Sequence, residues 1–312
     1  LGDVYKRQGL FDDPFVDEKQ AAQLVASSEH TGLAREVARQ SIVLLKNKDK
    51  LLPLKKDIRT LAVIGPNADN VYNMLGDYTA PQADGTVVTV LDGIRQKVSK
   101  ETRVLYAKGC AVRDSSRTGF KDAIETARNA DAVVMVMGGS SARDFSSEYE
   151  ETGAAKVTIN QISDMESGEG YDRATLHLMG RQLELLEEIS RLGKPVVLVL
   201  IKGRPLLMEG AIQEAEAIVD AWYPGMQGGN AVADVLFGDY NPAGRLTLSV
   251  PRSVGQLPVY YNTRRKGNRS RYVEEPGTPR YPFGYGLSYT TFSYTDMKVQ
   301  VTEGSDDCRV DV

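Results

Sequence analysis

The sequence predicts an α/β fold, in which a mostly parallel sheet is sandwiched by helices and followed by the start of an all-β module. Two patterns support this prediction. Between residues 58 and 250, short apolar runs alternate with amphipathic runs, as expected when buried parallel strands are joined by crossover helices. After residue 250 the helical spacing ends, and from Phe292 to Val301 apolar and polar residues roughly alternate, which is typical of strands with one buried face.

The first 57 residues are predicted to lead into the sheet domain. Residues 1–8 have neither helical nor strand periodicity, so we expect a foreign leader there and leave it out of the fold prediction. From Glu29 onward apolar residues follow roughly helical spacing as far as Leu45, and the polar stretch 46–50 ends the pattern. This region is therefore expected to contain a helix that docks on the main domain.

Within the sheet domain, apolar runs predict five strands and amphipathic runs predict four helices. The strands are Thr60–Ile64, Arg103–Ala107, Ala132–Met137, Pro195–Ile201 and Ala217–Trp222. The helices lie near Val87–Val98, Phe120–Arg128, Arg181–Leu192 and Asn230–Leu236. Because open α/β sheets bind ligands at the carboxyl ends of their strands, we expect a functional site in the segments that follow these strands.

The C-terminal part of the chain changes in composition. Residues 251–281 are rich in proline, glycine, tyrosine and arginine, which predicts a connector wrapped over the sheet domain. Residues 282–312 are predicted to begin the all-β module, and the sequence reaches Val312 before a sandwich could close.

Composition and charge exclude several classes of partner. The 312 residues carry a net charge of -4 with acids and bases interspersed, so neither nucleic acid nor an anionic membrane surface is expected to bind. The basic cluster at residues 264–271 is interpreted as a solvated loop. No run approaches the ~18 apolar residues of a membrane helix. Cys110 and Cys308 lie outside any CxxC or Cys/His cluster and are predicted to be free thiols.

Motifs for nucleotides and for serine nucleophiles are not found. The turns after the first and third predicted strands do not spell GxGxxG, and no P-loop follows a strand, so nucleotide binding is not expected. Ser140 and Ser141 are interpreted as turn residues, because neither stands in a GxSxG context and only His30 and His177 could serve as a base.

The acidic segment from Asp144 to Asp172 is the candidate for chemistry. It holds eight acidic residues and one lysine, and it follows the Ala132–Met137 strand. Glycines on both sides of Glu169 free the backbone there, and Asp172 is expected to pair with Arg173 and fix the following turn. On composition alone, a solvated surface excursion explains the segment equally well. A calcium site is less favoured, because the Asp-x-Asp-x-Asp-Gly pattern is absent.

These residues resemble glycoside hydrolase family 3, especially its β-glucosidase and β-xylosidase members, over nearly everything from Gly9 to Val301. The stretch Glu169–Arg173, with Leu176, Leu178, Gly180 and Gln182, is similar to the segment that carries the family's general acid/base, although Met179 stands where the family usually has proline. Further similar segments are Gly9–Pro14, His30–Asn47, Leu51–Leu54, Val63–Ala68, Lys194–Val197, Gly203–Pro205, Trp222–Gly225, Gly228–Gly238 and Tyr281–Phe292.

The resemblance implies an order of domains. Residues 9–57 correspond to the exit from an N-terminal barrel and an interdomain linker helix, and residues 58–250 to an α/β sandwich domain with the acid/base loop. Residues 251–281 form the connector, and residues 282–312 the truncated start of a fibronectin III-like domain. The barrel, which carries the family's nucleophilic aspartate, is expected to lie outside this sequence.

The resemblance also implies the site residues. Glu169 is the expected general acid/base, and Glu166 is the alternative because one sequence leaves a three-residue shift open. Arg143, Asp144 and Tyr149 are expected sugar contacts from their location alone. Neither a cofactor nor a metal is implied.

The implied function is that of a fragment of a retaining, exo-acting β-glycosidase for terminal β-D-glucosides or β-D-xylosides, inactive without its barrel domain. A noncatalytic carbohydrate-binding or interaction domain, an α-L-arabinofuranosidase and a phosphorolytic member of the family are the alternatives. The expected location is periplasmic or extracellular, and the oligomeric state is left open.

Overall fold

The computed structural model describes residues 2–142, 164–168, 172–262, 272–293, 295–296, 298–301 and 308–311. Within these ranges six strands form the main sheet: β1 (Val43–Asn47), β2 (Thr60–Ile64), β3 (Arg103–Ala107), β4 (Ala132–Gly138), β5 (Val196–Ile201) and β6 (Ala217–Trp222). Their order is β1-β6-β5-β4-β2-β3. Only the pairing of β1 with β6 is antiparallel, so the prediction of a mostly parallel sheet is confirmed.

Helices cover both faces of this sheet, as predicted. The helices in the described ranges are α1 (Gly2–Arg7), α2 (Glu18–Leu24), α3 (Ser28–Ser41), α4 (Val71–Leu75), α5 (Val90–Lys97), α6 (Phe120–Arg128), α7 (Gln182–Ser190), α8 (Glu209–Glu214) and α9 (Gly228–Leu236). One apolar cluster joins the sheet to α3, α4, α5 and α9, and a second joins its other face to α6, α7 and α8. None of these helices is long and apolar enough to cross a lipid bilayer.

The predicted helix that continues to Leu45 is wrong at its C-terminal end. Helix α3 ends at Ser41 and the chain enters β1 at Val43. Leu44 packs into one apolar cluster, whereas Val43 and Leu45 pack into the other, so the alternation is that of a strand buried on both faces. Pairing with β6 decides this conformation, and that pairing joins residues far apart in sequence.

The C-terminal residues differ in part from the prediction. Val250 pairs with Tyr281 and Leu287 pairs with Leu44, so residues after the sheet domain return to its edge. The strand expected from Phe292 begins at Lys298 and forms β7 (Lys298–Val301), which pairs antiparallel with β8 (Cys308–Asp311). These two strands do not establish a fibronectin III-like domain, which stays a prediction. The basic cluster at 264–271 lies outside the described residues.

The strand order creates a crevice at the carboxyl ends of β2 and β4. Strand β3 lies on one side of β2 and β4 on the other. The connection after β2 passes through α4 and α5 on one face, and the connection after β4 reaches α7 on the opposite face. Adjacent strands whose connections leave in opposite directions form the crevice where open α/β sheets bind ligands.

Candidate active site at the carboxyl ends of β2, β4 and β5

A buried polar network lines the crevice between β2 and β4. Asn67, which follows β2, donates from Nδ2 to the carbonyl oxygens of Gly139 (3.0 Å) and Ile201 (3.3 Å). Asn73 donates to Oδ1 of Asn67 over 2.7 Å, and Ser140 donates to Oδ1 of Asn73 over 2.6 Å. The network ties the loops after β2 and β4 to each other and to the end of β5, and it uses the Ser140 hydroxyl in a structural hydrogen bond.

Gln182, the first residue of α7, holds the end of β4 from the other face. Its fully buried side chain accepts from the Gly138 N–H and donates to the Gly138 carbonyl, both over 2.9 Å. Gly138 has a φ of +134°, and a Cβ there would lie 2.0 Å from the carbonyl oxygen of Ile201. Only glycine fits at the point where the chain leaves β4.

Residues 164–168 return to this edge of the sheet and are anchored to it. The N–H of Glu166 donates to the Ser140 carbonyl over 2.8 Å. The Arg113 guanidinium donates to the Met165 carbonyl over 2.7 Å. The segment just before position 169 is therefore tied both to the loop after β4 and to the loop after β3.

Glu166 and Arg173 form a buried ion pair at this edge. Nη1 of Arg173 lies 2.5 Å from Oε2 of Glu166, and the two side chains are 3% and 0% exposed. Nη2 of Arg173 donates to the carbonyl of His177. Gly139 packs so closely against the pair that a Cβ at this position would lie 1.9 Å from Oε1 of Glu166.

Burial dominates the electrostatics of this pair. It raises the pKa of Glu166 above its usual value, although Arg173 and other nearby cations act in the opposite direction. Burial likewise lowers the pKa of Arg173, against the attraction of Glu166. Among the described residues, neither Oε1 of Glu166 nor Nε of Arg173 has a hydrogen-bond partner. Besides Arg173, the positive charges of Arg204, Arg113 and Lys202 also act to lower the pKa of Glu166.

Asp172 and Arg173 do not form the ion pair that their adjacency predicted. Oδ1 of the exposed Asp172 accepts from the Arg204 guanidinium over 3.0 Å and from the backbone N–H of Arg173 over 2.7 Å. Arg204, followed by the Arg173 N–H, lowers the pKa of Asp172. The side chain of Arg173 turns away to Glu166 because the fold brings residues seven positions apart together in the interior.

A second buried ion pair lies at the ends of β5 and β6. Nζ of Lys202 is 2.6 Å from Oδ2 of Asp220, and both side chains are nearly inaccessible to solvent. The same ammonium lies 4.0 Å from the centroid of the Trp222 ring. No sequence motif predicts this pair, and the available signal is a charged residue directly after each of two apolar runs.

One of the predicted site residues lies within the described ranges, and the others lie outside them. Glu169, Arg143, Asp144 and Tyr149 lie outside them, so their roles stay predictions. Glu166 is described and lies in the ion pair with Arg173. Across the described ranges, no group of three or more His, Cys, Asp or Glu side chains could hold a metal ion.

Comparisons with known proteins identify what this chain resembles. The sequence family described as the glycosyl hydrolase family 3 C-terminal domain matches residues 42–289. A β-xylosidase of Formosa agariphila is 42% identical over 305 residues, which cover 94% of this chain. A periplasmic β-glucosidase of Salmonella typhimurium is 40% identical over 324 residues and covers 93% of it. The chain spans 39% of the length of each of these relatives.

A solved structure shares the fold. The structure of a β-glucosidase from Erythrobacter marinus superposes with a TM-score of 0.79 at 38% sequence identity. The match covers 94% of this chain and 39% of that one.

Proposed function

Because the chain belongs to glycoside hydrolase family 3, we propose that it is the part of a retaining, exo-acting β-glycosidase that supplies the general acid/base, and that Glu169 is this group. The parent enzyme hydrolyses terminal β-D-glucosides or β-D-xylosides. Its nucleophilic carboxylate comes from an N-terminal barrel domain of the same protein.

The observation that carries this proposal is the location of the described residues on both sides of position 169. Residues 164–168 are bonded to the loop after β4, and Arg173 is bonded to Glu166. Both ends of the intervening segment therefore lie at the carboxyl edge of the parallel sheet, beside the crevice where open α/β sheets bind ligands. This location supports a role in contact with substrate.

The chemistry needs one carboxyl group from each domain. The nucleophile attacks the anomeric carbon while the acid, about 5–5.5 Å away, protonates the glycosidic oxygen, so that the leaving group departs as an alcohol. The resulting carboxylate then takes a proton from water, which attacks the same carbon and releases the sugar and the nucleophile. In this proposal Glu169 donates the first proton and accepts the second. A general acid that works near neutral pH needs a raised pKa, and a neighbouring negative charge such as that of the nucleophile acts in this direction.

The contacts of Glu166 favour Glu169 as the acid/base. The Glu166 side chain is fully buried and paired with Arg173. A general acid must come within hydrogen-bond distance of the atom that it protonates. Glu166 would have to leave its pair and its buried position to do so.

The relatives support the substrate class and the location. The β-xylosidase of Formosa agariphila and the periplasmic β-glucosidase of Salmonella typhimurium are both similar along most of this chain. We extend to the parent enzyme a preference for β-linked glucose or xylose and a periplasmic or extracellular location. Arg143, Asp144 and Tyr149 are the proposed sugar contacts of the acidic segment.

Replacing Glu169 with alanine in the complete enzyme tests the proposal. For an alkyl β-glycoside, whose leaving group needs protonation, we expect kcat/KM to fall by roughly 10²–10⁴-fold. For a 2,4-dinitrophenyl glycoside, which needs no acid, kcat/KM should change little. Azide should then raise kcat by attacking the glycosyl-enzyme without a base, and the product should be the β-glycosyl azide.

A matched Glu166→Ala variant distinguishes the two candidate carboxyl groups. If azide rescue and the dependence on leaving group occur in Glu166→Ala and not in Glu169→Ala, the assignment of Glu169 is wrong. If they occur in neither variant, the acid/base is not in this segment and the proposed function fails.

A further inference from the structure

We propose that Glu166 and Arg173 are positioning residues for the acid/base, and that their buried ion pair holds together the described residues on the two sides of position 169. The inference rests on the proposed function, in which Glu169 transfers the proton. Neither residue of the pair is assigned a contact with substrate.

The pair joins the two ends of the segment that contains position 169. Glu166 lies three residues before that position, and Arg173 lies four residues after it. Their side chains meet at 2.5 Å in the interior. The pair is also tied to its surroundings, because the Glu166 N–H donates to the Ser140 carbonyl and Arg173 donates to the His177 carbonyl.

Two glycines lie next to this arrangement. A Cβ at Gly139 would overlap the Glu166 carboxylate. Gly168 has a φ of +146°, and a Cβ there would lie 2.2 Å from Cε of Met165. Gly168 directly precedes position 169, and its positive φ favours glycine at this point of the chain.

Stability alone does not explain why a charged pair is buried here. Burying two charges often costs more than their attraction returns, and well-packed apolar residues are frequently as stable. The pKa of Glu166 is raised and that of Arg173 is lowered, so burial outweighs the attraction between them. A guanidinium group is planar, so it can donate hydrogen bonds to two acceptors in fixed directions. Here the acceptors are the Glu166 carboxylate and the His177 carbonyl.

Three variants of the complete enzyme test this role. Glu166→Gln keeps the shape of the side chain and removes its charge. Arg173→Met removes the donors and keeps an apolar chain of similar reach. Arg173→Lys keeps the charge but loses the planar, two-directional geometry. Asp234→Asn is the matched control, because Asp234 is also a buried carboxylate paired with an arginine, but it belongs to α9 and its partner Arg35 belongs to α3.

The expected result is a loss that depends on the leaving group. For the alkyl glycoside, kcat/KM should fall by about 10²-fold in Arg173→Met, since a displacement of about 1 Å in a catalytic group costs this much. For the 2,4-dinitrophenyl glycoside the fall should be small. Arg173→Lys should lose less kcat/KM for the alkyl glycoside than Arg173→Met does. Asp234→Asn should leave kcat/KM unchanged for both glycosides while lowering Tm.

Hydrogen exchange gives a readout independent of activity. In the 312-residue chain, the amides of Gly168 and Arg173 should exchange faster in Glu166→Gln and Arg173→Met than in the wild type. Asp234→Asn should leave those amides unchanged.

The outcomes separate this inference from the proposed function. Suppose that Glu169→Ala shows the dependence on leaving group. If the Glu166 and Arg173 variants then only lower Tm, or lower kcat/KM equally for the alkyl and the 2,4-dinitrophenyl glycoside, the positioning role is wrong and the proposed function stands. If Glu169→Ala keeps full activity, the proposed function fails and the inference fails with it, because no acid/base remains at position 169 to position.

Discussion

Lys202 and Asp220 show at the scale of single residues how the sheet tolerates charge in its core. Lys202 directly follows β5 and Asp220 lies within β6, and both side chains are almost completely buried. Burial raises the pKa of Asp220, with Lys202 acting in the opposite direction. Trp222, which has a φ of +57°, places its ring against the ammonium. Each charge therefore depends on the other for its compensation.

Removal of Lys202 alone is predicted to destabilise the chain strongly. Lys202→Met fills a similar volume but leaves the Asp220 carboxylate buried without its cation, which costs about 3–5 kcal/mol. The double variant Lys202→Met/Asp220→Asn should recover part of this loss, because no charge stays in the core. Urea unfolding of the 312-residue chain measures both effects.

The exposed pair Arg59–Asp131 is the matched control for this prediction. Its distance is 3.4 Å and the Arg59 side chain is 86% exposed, so Arg59→Met should hardly change the unfolding midpoint. If Lys202→Met changes the unfolding midpoint as little as Arg59→Met does, the buried pair does not contribute to stability.

Helix α3 shows at the scale of an element how polar contacts can replace apolar packing. Only Ala38 of this helix is buried, and Leu33 and Val37 are largely exposed. The helix is held instead by Arg35, which donates to both oxygens of Asp234 over 2.7 and 2.6 Å. Lys97 donates to the same carboxylate, so one residue of α9 joins α3 and α5.

Asp234→Asn is predicted to loosen α3 and to lower stability by about 2–3 kcal/mol at neutral pH. The measurement is urea unfolding, with hydrogen exchange of the amides of α3. An effect on stability without faster exchange in α3 would show that Asp234 acts elsewhere in the fold.

The effect of Asp234→Asn should depend on pH with a defined sign. Burial raises the pKa of Asp234, but the hydrogen bonds from Arg35 and Lys97 outweigh it and the pKa lies below its usual value. The folded state therefore binds fewer protons than the unfolded state as the solution becomes acidic. The stabilisation is present above the ordinary aspartate pKa of about 4 and is lost as the pH falls through the lower folded value. The difference between wild type and variant should shrink over that interval.

At the scale of the whole molecule, the proposed site needs two domains. The proposed acid/base lies in this chain, whereas the proposed nucleophile belongs to a barrel domain. One carboxyl group supplies only one of the two roles that a retaining glycosidase needs. In the proposed mechanism the nucleophile's negative charge also helps to raise the pKa of the acid, so under this proposal the 312-residue chain by itself would lack both the attacking group and this electrostatic effect.

We therefore predict that the purified 312-residue chain does not hydrolyse aryl β-glucosides or β-xylosides. Release of nitrophenol above the rate without protein would contradict the prediction. Isothermal titration with glucose and xylose oligomers tests the alternative of a binding module, which should bind them tightly without a barrel. The complete enzyme is the positive control in both measurements.

The sequence by itself determined the sheet domain. Mostly apolar runs predicted β2, β3 and β6 with their observed bounds and β4 and β5 to within one residue, because the strands of a parallel sheet covered by helices bury most of their side chains. Helical periodicity likewise located α5, α6, α7 and α9. The resemblance in the Glu169–Arg173 stretch and the segments that follow it identified the family.

Only the tertiary structure decided which residues became partners. Residues 43–45 follow helical spacing locally but form a strand, because pairing with β6 satisfies their backbone and buries both faces. Asp172 and Arg173 are neighbours, yet their side chains bind Arg204 and Glu166. Local spacing predicts elements because periodicity is a property of the chain, whereas partners across the fold depend on distances that exist only after the elements have packed.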